Sequence, residues 1–279
     1  PVSLLLIFLL LFGAFGSAVT IIQRGPRLLM AEDEEISARF TEVVGHRFRL
    51  LLDTNVLAVA RRGSGVAVTV STGDATEVVE ASALLVAAGR QPNTDRLDAV
   101  AGGLELDGHG HLITDESYRT SVPGVWALGD AANHFQLKHM ANAEMRVVRH
   151  NLSHPDDLRR LPIGLVPHAV FSEPQVAGVG LTEQDARATG IDHVISVRRF
   201  ADTAYGWALE DTTSFVKLLA DPQSRLLLGA HIIGPNAAIL LQPLLQAMMH
   251  GQTVDQIGRE VLYVHPALTE VIEQALLDL

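Results

Sequence analysis

Tyr263–Val264–His265–Pro266–Ala267–Leu268–Thr269–Glu270 stands near the end of a 279-residue chain and carries its clearest chemical signal. Pro266 suits the first turn of a helix, where its missing N–H is no loss. His265 is then expected at the mouth of a helix running on through Val271, Ile272, Ala275 and Leu276. Glu270, five residues on, is expected to fold back towards the imidazole, fix its tautomer and favour its protonated form. An imidazole oriented by a carboxylate is a general acid–base pair. The same residues also fit a histidine that caps a surface helix beside a solvated glutamate.

Composition narrows what such a pair could serve. The chain is 48% hydrophobic and 19% charged, long enough for two ordinary domains, and its net charge of -11 with no basic run argues against nucleic acid. It contains no cysteine, which excludes structural disulfides, thiolate metal sites and any thiol redox chemistry of its own. His109 and His111 flank Gly110 in a turn, and no histidine pair lies at helical spacing with a carboxylate, so no metal site is expected. A nucleophilic serine elbow and a phosphate loop ending in Gly-Lys-Ser are missing too, which leaves hydrolysis poorly supported.

Going back from His265, the pattern over 167–260 alternates between two periods. Strands are expected at Ala169–Phe171, Val176–Gly180, His193–Arg199, Phe215–Ala220 and Leu227–Ile233, and helices at Glu183–Thr189, Ala237–His250 and Val254–Glu260. The helix Ala237–His250 is apolar on nearly every side and must be buried, either in its own domain core or partly by a second subunit. Earlier in the chain, Glu32–Phe40 reads as a short acidic helix. Strands are expected at Phe48–Leu52, Val56–Arg61, Val66–Val70 and Glu77–Glu80, with an apolar buried strand in Ala83–Asn93 that ends at Gly89. A short strand Val125–Leu128 ends in Gly129–Asp130, where the backbone can approach a ligand and a carboxylate projects. A helix from Leu137 to Asn151 follows, and 153–167 has linker chemistry. Asn151–Leu152–Ser153 fits a glycosylation pattern but closes that helix, so it is discounted.

Three segments together, Leu137–Asn142, Ala204–Thr212 and Tyr263–Glu270, resemble the C-terminal half of the FAD-dependent pyridine nucleotide-disulfide oxidoreductases over roughly residues 16–279. The resemblance implies an α/β remainder of Rossmann-like nucleotide-binding domains followed by an α+β dimerisation domain. The corresponding boundaries are 1–82 for a partial NAD(P)-binding domain, 83–160 for the C-terminal part of an FAD-binding domain and 161–279 for dimerisation. It implies an enzyme that carries electrons from NADPH through FAD to a small-molecule disulfide, as a homodimer. His265 and Glu270 would be the catalytic pair, and Gly129, Asp130, Lys138, His139 and Gly89 would belong to the FAD site. Neither the family's redox cysteine pair nor a Gly-x-Gly-x-x-Gly loop is present, so the chain is expected to begin part-way through such a protein, and a dimerisation module without redox activity is the alternative.

In the same comparison, Phe15–Gly25 is similar to the second strand of the nicotinamide domain. An acid at that strand's end would bind the NAD ribose, whereas Gln23 stands there with Arg24 and Arg27 close by. NADPH is the expected cofactor, although Met30 stands where a further arginine is expected, and both arginines also fit a plain solvated turn around Gly25–Pro26. The apolar run Leu4–Phe12, extended to Ile22, is read as a buried βα unit in a cytoplasmic protein, with a membrane span over Leu4–Ile22 as the alternative.

Overall fold

The computed structural model describes residues 11–162 and 164–279, so most of the run Leu4–Phe12 lies outside the described residues. No helix among the described residues is long and apolar enough to cross a membrane. The chain divides into two compact units, one of residues 87–166 and one in which residues up to 86 join 167–279.

In the second unit, strand β1 (Thr20–Ile22) leads into helix α1 (Glu34–Arg47) and then strand β2 (Arg49–Leu51), which pairs parallel with β1. This βαβ crossover is the Rossmann-like signature. Helix α1 runs seven residues beyond the expected Phe40. Ile36, Phe40 and Val44 recur every fourth residue and are all buried, so packing carries the helix through Val43, Val44 and Gly45 despite their weak propensity. Asp33 caps it, accepting from the Glu35 N–H at 3.1 Å. Strands β3 (Thr54–Arg62), β4 (Gly65–Thr72) and β5 (Ala75–Ala81) form an antiparallel meander in that order.

The first unit holds helix α2 (Lys138–Ser153) among turns. Two expected strands are absent, the first of them over residues that begin in the second unit and continue into this one. Residues 83–92 are irregular, with Leu84, Leu85 and Val86 exposed, and Val125–Leu128 makes only the single bridge Trp126–Arg119. A strand has no internal ladder, and among the described residues no neighbouring strand lines up with either segment. Asn151 is fully buried: its side chain donates to the carbonyls of Ser117 and Arg159 and accepts from the Arg159 N–H, so it offers no surface for a glycan.

The rest of the second unit follows the sequence closely. Its five-stranded antiparallel sheet has the order β6 (His168–Val170), β7 (Val176–Gly180), β10 (Leu227–Ile233), β9 (Phe215–Ala220), β8 (Val194–Arg199). The helices between and after these strands are α3 (Glu183–Thr189), α4 (Ala204–Ala208), α5 (Ala237–Met249) and α6 (Glu270–Leu277). The expected helix at Val254–Glu260 is a single helical passage whose part from Gln256 to Glu260 is π-helical. Helix α5 buries Leu240, Leu241, Leu244 and Leu245 and exposes Ile239 and Met249.

The βαβ piece and the five-stranded sheet share one core, in which Ile36, Phe40, Val44 and Phe48 pack with Val170, Val176, Phe215 and Ile233. Beneath it runs a buried ionic cluster. Lys217, 1% exposed, donates to Asp33 at 3.0 Å and to Glu183 at 2.6 Å, while the Glu183 N–H donates to the other Asp33 oxygen at 3.1 Å. His168 donates to the buried carboxylate of Glu32 at 2.8 Å, and the buried His231 donates from Nε2 to the Leu181 carbonyl at 2.8 Å. Burial draws the His168 pKa down, but the Glu32 hydrogen bond and charge outweigh it and leave it raised; for His231 burial wins and the pKa falls.

Candidate active site

Helix α6 is anchored by Val271, Ile272, Ala275 and Leu276, all buried, while Glu270 and Glu273 occupy its first turn, where carboxylates suit the positive end of the dipole. It starts at Glu270 and not at Pro266, which corrects the expected start. A turn precedes it, with Glu270 N–H donating to Ala267 and Val271 N–H to Leu268, so His265 lies in the irregular segment before that turn and not at the helix mouth. Tyr263 fixes that segment by donating to the Ile257 carbonyl at 3.2 Å, and its pKa is pushed up to about 12 by burial and by the charge of Glu273.

The expected pair nevertheless meets. His265 Nδ1 lies 2.7 Å from Glu270 Oε1, and Glu270 Oε2 accepts the Ala267 N–H at 3.1 Å. The carboxylate is thus held at both oxygens. The hydrogen bond from His265 holds its pKa down, with the Ala267 N–H assisting against the opposing effect of burial. With Nδ1–H committed to the carboxylate, Nε2 is the atom left to give or take a proton. Side-chain exposure is 69% for His265 and 13% for Glu270, so the orienting group is sheltered and the working ring is open. Leu262 and Val264 beside it are also exposed.

In the other unit, Gly129 and Asp130 form a one-turn 3-10 helix rather than a strand end. Gly129 has φ +70°, and a Cβ there would stand 3.3 Å from the Ala141 side chain, so glycine is required. Glu144, which sequence reasoning missed, explains the turn's position. Its carboxylate, 1% exposed on α2, accepts the Gly129 N–H at 2.6 Å and the Asn133 amide at 2.8 Å. The available signal was its place on the helix face of Met140 and Val148, where a solvated glutamate does not belong. Replacing Glu144 with alanine leaves a buried N–H unpaired and is expected to destabilise this unit by about 1–3 kcal/mol, read from urea unfolding. Asp130 itself is paired with Arg90. Lys138 and His139 open α2, and Leu137 before them supplies no side-chain cap. Gly89 is exposed in the irregular segment with open space around it.

Arg24 is exposed in the loop after β1, whereas Arg27 is drawn into an ion pair with Glu34 at 3.0 Å. Gln23 donates to the Arg27 carbonyl at 3.3 Å. The stretch Ala204–Thr212 forms α4 and its exit. Thr203 caps it from Gly206, and a Cβ on Gly206 would stand 1.9 Å from the Phe200 carbonyl oxygen, so no other residue fits.

Comparison with known proteins identifies the family. Residues 8–145 match the pyridine nucleotide-disulphide oxidoreductase domain and 166–276 match that family's dimerisation domain. Mycothione reductase of Mycobacterium tuberculosis is 45% identical over 272 residues, covering 96% of this chain and 58% of that protein. Dihydrolipoyl dehydrogenase of Geobacillus stearothermophilus is 33% identical over 270 residues, covering 95% and 56%. Among solved structures, LpdA from Mycobacterium tuberculosis superposes with a TM-score of 0.86 at 25% identity, over 97% of this chain and 58% of that one. The flavoprotein disulfide reductase RclA from Escherichia coli, at 24% identity and a TM-score of 0.88, shares the fold. The chain therefore spans a little over half the length of its relatives, and it belongs to the pyridine nucleotide-disulfide oxidoreductase family.

Proposed function

We propose that these 279 residues are the C-terminal part of a cytoplasmic flavoprotein disulfide reductase similar to mycothione reductase, working as a homodimer between NADPH and a low-molecular-weight disulfide. In this reading residues 1–82 serve the nicotinamide cofactor, 83–160 complete an FAD-binding domain and 161–279 dimerise. The observation that carries it is the His265–Glu270 pair, with Nδ1 fixed and Nε2 open, on a stretch that matches the family's dimerisation domain.

Because the sequence has no cysteine, the redox thiols must come from polypeptide outside it. His265 would then donate its Nε2 proton to the thiolate leaving a mixed disulfide and, once protonated again, stabilise the thiolate that remains. Glu270 would hold the ring for both steps. FAD, when bound, supplies the electron carrier between nicotinamide and disulfide. Residues of this chain fit it: Gly129 shapes the turn that presents Asp130, whose carboxylate, 40% exposed beside Arg90, suits a ribityl hydroxyl, and the start of α2 at Lys138–His139, without a side-chain cap, suits an electron-rich ring edge. The visible spectrum of the purified chain tests this part directly. Flavin absorbance near one per chain supports the reading, and a colourless dimer favours the second one.

That second reading is a dimerisation module without redox activity, favoured by the absence of cysteine and of any glycine loop for the flavin pyrophosphate. The dihydrolipoyl dehydrogenase relatives raise a different question, the choice of nicotinamide, since an acid is expected in such enzymes where Gln23 stands. In a flavin-loaded assembly NADPH is expected to be preferred over NADH in kcat/KM. Arg24→Ala should cut that preference about tenfold or more, the value of one charge-assisted contact. A preference for NADH would turn the assignment towards the lipoyl enzymes.

A further inference from the structure

The turn 107–111 and the loop after Asp130 bring together three side chains that lie far apart in sequence. Asp107 Oδ1 accepts the N–H groups of His109 at 2.8 Å and His111 at 2.9 Å, which leaves Oδ2 free. Oδ2 lies 3.5 Å from His111 Nδ1 and 3.2 Å from His134 Nε2. His111 is only 5% exposed, and among the described residues neither of its ring nitrogens has a hydrogen-bond partner. A buried imidazole without a partner is costly, and this one turns Nδ1 towards a carboxylate oxygen.

We propose that Asp107, His111 and His134 form a binding site for a borderline divalent cation such as Zn2+. Ligand atoms around a four-coordinate zinc with bonds of about 2.0 Å stand about 3.3 Å apart, close to both observed separations. All three donor atoms lie within 4.8 Å of one another, and His134, the exposed member at 64%, is the ring free to close the last gap. Two imidazoles and one carboxylate are a catalytic-type zinc set, and the fourth position falls to water or to His109, whose ring centroid is 5.6 Å from that of His134. Sequence spacing hides this set, because His134 reaches it only through the bond from the Leu112 N–H to the Ala131 carbonyl that folds one loop onto the other.

The test is titration of the chelator-stripped chain with zinc chloride alone, by calorimetry, alongside cobalt substitution followed by visible spectroscopy. One ion per chain is expected, with a four-coordinate cobalt spectrum and a higher melting temperature on adding zinc. Asp107→Asn and His134→Ala should each weaken binding beyond the roughly 10–100-fold typical of losing an outer-shell partner, while His193→Ala, far away in sequence, should not. His134→Ala decides the matter even where His111→Ala fails to fold, because His134 is a surface residue. Zinc affinity unchanged in both Asp107→Asn and His134→Ala, or no zinc bound by the parent chain, overturns the proposal.

Discussion

His265→Ala is expected to slow disulfide turnover on the order of 10²-fold or more in an assembly that supplies the redox thiols, while reduction of bound flavin by NADPH proceeds at its former rate. The split follows from placement. Nε2 is the open atom of a ring whose Nδ1 is 2.7 Å from a sheltered carboxylate, so under the proposed function its loss is expected to fall on proton transfer to sulfur and not on hydride delivery. Glu270→Ala should show a smaller loss with the same selectivity, because the imidazole remains but its tautomer and direction are no longer fixed. Stopped-flow measurement of the two half-reactions separates these outcomes. Equal damage to both would remove His265 from acid–base work and leave it a structural part of the segment leading to α6.

The largest effect on stability is expected at Lys217. Lys217→Met leaves the Asp33 carboxylate buried without a cation and Glu183 with only its pair to the exposed Arg187, a change that typically costs about 3–5 kcal/mol. Asp33→Asn and Glu183→Gln added to Lys217→Met should restore much of the loss, since both buried carboxylates become neutral and the charges that remain, on Glu35 and Arg187, are on exposed side chains. Urea unfolding of the three proteins checks this, and a single variant that loses under about 1 kcal/mol would show the cluster to be solvated. The pH dependence has a definite sign. Burial pushes Asp33 up, but the hydrogen bonds from Lys217 and Glu183 and the charge of Lys217 leave its pKa below the ordinary value. Its stabilising contribution is therefore complete above the unfolded value of about 3.9 and is lost as pH falls through the lower folded value. Burial pulls Lys217 down, but its hydrogen bonds to Glu183 and Asp33 leave its pKa raised, so it contributes fully below its unfolded value of about 10.4 and fades as pH climbs through the folded one.

Much of this was legible in the chain itself. The five strands of 168–233 and the helices α3 and α5 fall within a residue or two of where alternating and helical periods placed them, because each has a buried face of its own, whereas the short helix α4 was not among the expected elements. The His265–Glu270 contact was one of two readings that the spacing left open, whereas the helix start was misplaced: Pro266 matches an N-terminal pattern that an intervening turn overrides. What spacing could not reveal are contacts closed by tertiary folding. Asp33 meets Lys217 across 184 positions, and Glu144 meets Gly129 because a helix returns over a turn. The absent strand at 83–92 is the converse case. Its apolar residues satisfied a strand pattern, but pairing depends on a neighbour that no local pattern can report.

The shared core of α1 and the five-stranded sheet also bears on how the molecule can be cut. A fragment trimmed to 166–276, the stretch matching the dimerisation domain, would forfeit Asp33 and bare Val170, Val176, Phe215 and Ile233 to water. Such an excised piece should prove insoluble or molten, and an autonomous version has to keep the segment from β1 to β2.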